Sequence, residues 1–201
     1  MLKRILLASV ITLLASGAAM AGGFYVGAGV GANSFNSNLN FNDTGNVTYG
    51  HLGAQGSLYA GYVVPFSNQF GVGIEAFGNI MDTKTTDSTY NPALRLKERN
   101  TYGLRLLPGY RIAPTADMHL IAGFVRGGFR QDGNNIASKN FNANGFQVGL
   151  GGGVDVSKNV GIRGDVAYNH FQNKTITIGT DSSAYRLSSV DAAASLAYMF
   201  G

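Results

Sequence analysis

The chain has 201 residues and no cysteine, so disulfides and thiolate metal sites are excluded and burial and hydrogen bonding must hold the fold together. Its formal charge of +4 arises from 15 basic and 11 acidic residues with no lysine- or arginine-rich run. Nucleic acid would have no electrostatic footprint to bind, and no nucleic-acid partner is expected.

The chain opens with a short basic stretch carrying Lys3 and Arg4, followed by an almost unbroken apolar run over residues 5–15 and then Ala19-Met20-Ala21. This is the n-region, h-region and A-x-A pattern of a secretory signal. The apolar run is well short of the roughly 20 residues that a spanning helix needs. Cleavage is therefore expected after Ala21, making 1–21 a signal peptide and 22–201 a single domain. Lys3 and Arg4 leave with the signal, so the formal charge falls from +4 to +2. No later apolar stretch reaches helical spanning length, so membrane entry would be by strands.

Beyond Gly22 the pattern has period two. Gly27, Gly29 and Gly31 share one face of a strand whose other face is Phe24, Val26, Ala28, Val30 and Ala32. The same split sets Leu52, Leu58 and Tyr62 against Gln55 and Tyr59, then Val72, Ile74 and Ile80 against Glu75 and Asn79. In the fourth strand Tyr102, Leu104, Leu106 and Tyr110 oppose Arg99, Thr101, Arg105 and Arg111. The fifth segment mixes its signals, because Leu120, Ala122 and Phe124 share a parity with Arg126 and Arg130. An arginine on a lipid face costs about 2–4 kcal/mol at the midplane and little near the rim; the expected assignment puts Ile121, Val125 and Phe129 outside and both arginines inside. Later, Phe146, Val148 and Leu150 oppose Gln147 and Asp155, Ile162 and Val166 oppose Arg163 and Asp165, and Val190, Leu196, Tyr198 and Phe200 oppose Asp191 and Ser195.

The connections alternate in length. Residues 65–68, 113–117 and 157–159 read as short turns, whereas 35–49, 82–97, 132–142 and 172–184 read as long polar loops. A soluble barrel would turn its apolar face inward. Strands of this length, loops long at one end only and an even strand number instead fit an all-β fold, an eight-stranded antiparallel up-and-down transmembrane β-barrel, apolar outside and polar inside. Phe24, Tyr62, Phe66, Phe70, Tyr110, Tyr198 and Phe200 fall near the short-turn end, as an interfacial aromatic girdle would.

The segments GFYVGAGVGA, YAGYVVPF, FGVGIEA, GIRGDVAYN and the closing AYMF resemble the eight-stranded outer-membrane β-barrel family that includes opacity-type surface antigens and the small OmpA- and OmpX-like barrels. The resemblance covers essentially residues 22–200 and implies architecture more than activity. It implies a bacterial outer-membrane location, outer-membrane lipid as surroundings, a monomer, and a C-terminal strand read by the outer-membrane assembly machinery through Leu196, Tyr198 and Phe200. Gly201 departs from that pattern, since it leaves the aromatic penultimate.

By parity the lumen should hold Glu75, Arg99, Arg105, Arg111, Arg126, Arg130, Asp155, Arg163, Asp165 and Asp191. An eight-stranded barrel has an interior roughly filled by side chains, so these charges should pair, with Glu75, Asp155, Asp165 and Asp191 each taking arginine partners. The alternative use of six arginines against four acids is a narrow, mildly anion-favouring channel.

Signals for catalysis, cofactors or metals are weak. GVGIEA matches G-x-G-x-x-A only formally, because no helix pattern follows it. His51, His119 and His170 lie on separate strands without metal-ligand spacing. His170-Phe-Gln-Asn resembles the His-x-Ser-Asn segment of the outer-membrane lipid A deacylase family, but Gln172 occupies the nucleophile's place and its amide cannot replace an activated hydroxyl. No enzyme, cofactor or metal site is expected. Residues 33–46 carry six asparagines with Phe35, Leu39 and Phe41 interspersed, and such segments on a rigid barrel suit binding of a host or surface ligand. Pro108, on the lipid-facing parity, should interrupt strand pairing, because it lacks an N–H.

Overall fold

The computed structural model describes residues 23–41, 45–86, 94–133, 136–178 and 181–200; the expected signal segment and Gly201 lie outside them. Nine strands follow in order: β1 (Gly23–Phe41), β2 (Gly45–Pro65), β3 (Phe70–Thr86), β4 (Leu94–Ala113), β5 (Ala116–Gly133), β6 (Ile136–Asp155), β7 (Val160–Phe171), β8 (Lys174–Ile178) and β9 (Asp181–Phe200). All pairings are antiparallel. Each of β1 to β7 pairs with its sequence neighbour, β7 then pairs with β9, and β9 pairs with β1, closing an eight-stranded ring. The short β8 pairs only with β9, continuing the line of β7. Among the described residues there is no helix.

Period-two patterning determines which side each strand shows to the lumen. Val30, Leu58, Ile80, Leu104, Phe124 and Leu196 are all exposed on the outer wall, while Gln55, Glu75, Gln147, Asn169 and Asp191 are buried inside. Apolar outside and polar inside is the inverse of a soluble barrel and suits a hydrocarbon surround. At the short-turn end the aromatics form cross-strand pairs on the outer surface. Phe24 packs against Phe200 at 5.4 Å and Phe70 against Tyr110 at 4.9 Å. Two of the three short turns there share a hydroxyl device: Ser67 Oγ accepts from the Phe70 N–H at 3.0 Å and Ser157 Oγ from the Val160 N–H at 3.2 Å.

The opposite end corrects the expectation of long loops. Pairing continues through Phe41↔Gly45, Thr86↔Arg95, Gly133↔Ile136 and Ile178↔Asp181, so most of the four polar segments are hairpins that prolong the barrel wall. Asparagine, aspartate and glycine are poor strand formers, so segments rich in them lack a strong strand signal of their own. Once the belt below has set the register, the partner strand supplies the backbone hydrogen bonds that local propensity does not.

Two further corrections follow from register. On β5 the faces are reversed from expectation: Ile121, Val125 and Phe129 point inward at 1–3 % exposure, and Arg126 lies exposed on the outer wall. Arg130 shares that outward parity. The sign was present in the glycines, because Gly123 and Gly127 share the parity of Val125, and the other strands also turn glycines inward. On β4 the pairing shifts between Glu98↔Phe129 and Asn100↔Gly128, leaving Arg99 as the extra residue of a bulge. Arg99 is therefore exposed, and Glu98 takes the lumen position at 1 % exposure. Pro108 behaves as expected. The ladder to β5 lapses at Leu107 and Pro108 and resumes in the same register at Gly109↔His119, while the side facing β3 stays continuous through Val72↔Pro108.

Candidate functional site

The lumen is built in three layers, from the short-turn end upward. The lowest is a charge cluster drawn from five strands. Glu75 on β3 accepts from Arg105 Nε on β4 at 2.6 Å, from Arg163 Nη1 on β7 at 2.5 Å and from the Tyr25 hydroxyl on β1 at 2.8 Å. Asp165 accepts from Arg163 Nε at 2.9 Å and Arg105 Nη2 at 3.2 Å, and lies 2.9 Å from His119 Nε2. Both guanidiniums also stack on rings, Arg105 over Phe77 and Arg163 over Tyr59, each at 4.9 Å. Two arginines thus neutralise two carboxylates in a closed space, with every charged group held by several hydrogen bonds, the condition under which buried ion pairs persist.

Glycines make these long-range contacts possible. Tyr25 and Glu75 sit on β1 and β3, opposite Gly61 from its two sides, and a Cβ on Gly61 would come within 2.5 Å of the Tyr25 hydroxyl. His119 and Asp165 sit on β5 and β7 around Gly151 in the same way, where a Cβ would lie 2.2 Å from Asp165 and 2.5 Å from His119. Each glycine is a window through which side chains two strands apart meet. Lumen-facing glycine is thus a packing requirement rather than a means of widening a pore.

The middle layer is uncharged donors around two further acids. Asp191 accepts from Asn33 Nδ2 at 2.6 Å and Asn169 Nδ2 at 2.7 Å; Gln147 donates to Asn169 at 2.9 Å, and Asn79 to Thr101 at 3.1 Å. Glu98 accepts from Ser189 at 3.4 Å. The upper layer is apolar. Phe129 lies 5.6 Å from Phe35, 5.4 Å from Phe141 and 5.2 Å from Phe171; Leu187, Ala143 and Val125 belong to the same cluster, which continues downward to Phe77, Tyr59 and Tyr25. Between the layers, the void lined by Gln55, Asn79, Arg105, Gln147 and Asp191 measures about 20 Å³, room for about one water molecule. A wider depression beside Ala28, Ala60, Ala76 and Leu196 opens on the outer wall rather than the lumen.

Of the residues expected in the lumen, Glu75, Arg105, Arg163, Asp165 and Asp191 are inside, and the first four form one network. Asp191 is a correction in its partners, since amides rather than an arginine hold it. Asp155 and Arg111 reach only the lower mouth: Asp155 is partly buried, Arg111 is exposed, and Asp117 adds a second carboxylate there. No arginine ion pair of Asp155 forms among the described residues, a second correction. Arg99, Arg126 and Arg130 are not lumen residues; the bulge explains the first and the outward parity of β5 the other two, with Arg130 bonded to Ser138 at 3.2 Å. Sequence reasoning missed Glu98, Tyr25, His119 and the aromatic layer, and it placed Tyr59 on the inner face without its contacts to Arg163 and Ser195. A usable signal for His119 was its shared parity with Asp117, which lies 3.2 Å from Nδ1. Leu196, Tyr198 and Phe200 lie on the outer face of β9, all exposed.

Solved structures share this architecture. The outer membrane protein OprG from Pseudomonas aeruginosa aligns with a TM-score of 0.56 at 15 % identity, covering 90 % of this chain and 96 % of its own. Neisserial surface protein A aligns at 0.54 and 15 %, covering 90 % and 100 %, and the outer membrane protease OmpT from Escherichia coli at 0.53 and 9 %, covering 92 % and 100 %. At such identities the likeness concerns fold alone. No curated protein matches the chain by sequence. The sequence does match the family described as outer membrane protein beta-barrel domain over residues 5–200. A closed antiparallel ring with an apolar outer wall and a charged, packed interior is what that match leads one to expect, and the chain belongs to the outer membrane protein beta-barrel domain family.

Proposed function

We propose that this outer-membrane barrel is a surface structural and interaction protein, anchored by its wall and presenting its four prolonged hairpins to the exterior for a host or surface ligand. The observation that carries this reading is the packed lumen. Among the described residues, the void between Gln55, Asn79, Arg105, Gln147 and Asp191 is about 20 Å³, and Phe35, Phe129, Phe171 and Leu187 fill the section above at 0–1 % exposure. A conduit needs a continuous polar path, whereas here an ion-paired layer lies beneath an apolar one. Arg105 and Arg163 are neutralised by Glu75 and Asp165, Arg111 lies exposed at the lower mouth, and Arg99, Arg126 and Arg130 sit outside the lumen. Export through a signal cleaved after Ala21, insertion guided by Leu196, Tyr198 and Phe200, and a monomeric state belong to the same proposal. A hydrolytic role has no support in the lumen chemistry, and Gln172 stands where a nucleophile would be needed.

The test is single-channel recording on the refolded full chain in planar bilayers. Silence over long recordings at high salt is the expected result; reproducible unitary steps would replace this reading with a channel.

A further inference from the structure

The outward arginines of β5 call for an explanation, because the lumen does not use them. Along the outer face of β5, Met118, Leu120, Ala122 and Phe124 give way to Arg126 and Arg130. Eight residues separate Met118 from Arg126, about 26 Å along the strand at ~3.3 Å per residue. With the usual tilt of roughly 35–45° that is about 20 Å of height, close to the top of an apolar band about 25 Å tall. Here the outward surface changes chemistry. In register beside Arg126 stand Tyr102 on β4 and Asn144 on β6, and beside Arg130 stands Asn140 on β6. Asn140, Asn142 and Asn144 are all exposed, as is Arg99 on the β4 bulge. Among the described residues Arg126 and Arg99 make no hydrogen bond or ion pair within the protein. Among the described side chains of the outer wall, the acid at this level is Asp82 on β3, two strands from Arg126.

We infer that this wall binds the phosphate groups of an outer-leaflet glycolipid, with Arg126 and Arg130 as the charged contacts and the β6 asparagine amides as further donors. Guanidinium donates two parallel hydrogen bonds to a phosphate. Glycolipid rather than free phosphate is favoured because the exposed Phe124 and Phe146 lie directly below, so acyl chains and headgroup would be held by one continuous surface. The inference rests on the hairpin end facing outward, as proposed above. That premise can be checked separately: the chain has no cysteine, so a single Ser138→Cys variant reacting with a membrane-impermeant maleimide on intact cells reports orientation alone.

Binding is tested by native mass spectrometry of the folded full chain in neutral detergent doped with diphosphorylated lipid A, lipid A stripped of both phosphates, or inorganic phosphate. The expected result is retention of the phosphorylated lipid only, weakened about tenfold for each of Arg126→Gln and Arg130→Gln, the size of one lost charge-assisted contact. The pair Arg126→Lys and Arg130→Lys should bind more tightly than the glutamine pair and less tightly than the unaltered chain, because an ammonium keeps the charge but not the two parallel hydrogen bonds. A heat-dependent gel shift identifies folded protein, and if the double glutamine variant does not fold, the single variants carry the comparison. Equal retention of the dephosphorylated lipid, undiminished binding by the glutamine variants, or equal binding of inorganic phosphate would each overturn the assignment.

Discussion

Replacing Glu75 with glutamine tests the physical logic of the lumen most directly. Glu75 is fully buried and accepts from two guanidiniums and one phenol. Glutamine preserves the shape but removes the charge, so Arg105 and Arg163 would share only Asp165 and the closed layer would carry one uncompensated positive charge. One amide oxygen cannot accept from three donors as two carboxylate oxygens do, so at least one buried donor is orphaned as well. Breaking a buried ion pair from one side costs about 3–5 kcal/mol. The variant is therefore expected to unfold at lower urea concentration by that free-energy increment, read from the heat-modifiable gel band of protein refolded into lipid vesicles. Adding Arg163→Met, which removes the surplus charge, should recover a large part of the loss. If the single variant lost less than about 1 kcal/mol, or the double variant were as damaged as the sum of its parts, the ion-paired layer would not be a coupled unit and the reasoning would fail.

Three other outcomes are expected. Phe129→Ala should destabilise the barrel by about 3–5 kcal/mol, because the ring closes the apolar layer against Phe35, Phe141 and Phe171; urea unfolding in vesicles measures this, and a near-neutral result would mean the layer is loosely packed. Gly151→Val should cost at least about 1–3 kcal/mol by wedging His119 from Asp165. In the same assay Gly164→Ala, where a Cβ meets nothing within 4 Å, should be tolerated, and equal effects would refute the window role of Gly151. Phe200→Ala should reduce the amount of folded barrel in isolated outer membranes while deletion of Gly201 should not; if the two behaved alike, Phe200 would have no part in assembly.

Much of the fold was legible because alternation is a local property. Val30, Leu58, Ile74 and Leu196 declare an outer face without reference to any other strand, and Glu75, Arg105, Arg163 and Asp165 fall inside by the same count. The count fails where the ladder gains a residue. Arg99 is such a residue, and one bulge moves it out and Glu98 in. It also fails where two local signals conflict, as on β5. There the midplane cost of an outward arginine points one way, but Arg126 stands near the boundary, where that cost falls to about 0–1 kcal/mol. The inward glycines Gly123 and Gly127 were the better guide, since the lumen had no room for side chains there beside Arg105, Phe129 and Phe171.

The sequence by itself determined the period, the direction of the apolar face on seven of the eight barrel strands and the end at which the short turns gather, because each depends only on neighbours along the chain. Tertiary structure alone decided which charges meet. Glu75 gathers Tyr25, Arg105 and Arg163 from three other strands, and His119 reaches Asp165 across Gly151. Those partnerships depend on ring closure and strand register, which place residues 50, 88 or 46 positions apart in the chain within hydrogen-bonding distance. The register in turn rests on cooperative pairing around the whole barrel, a quantity that no single segment contains.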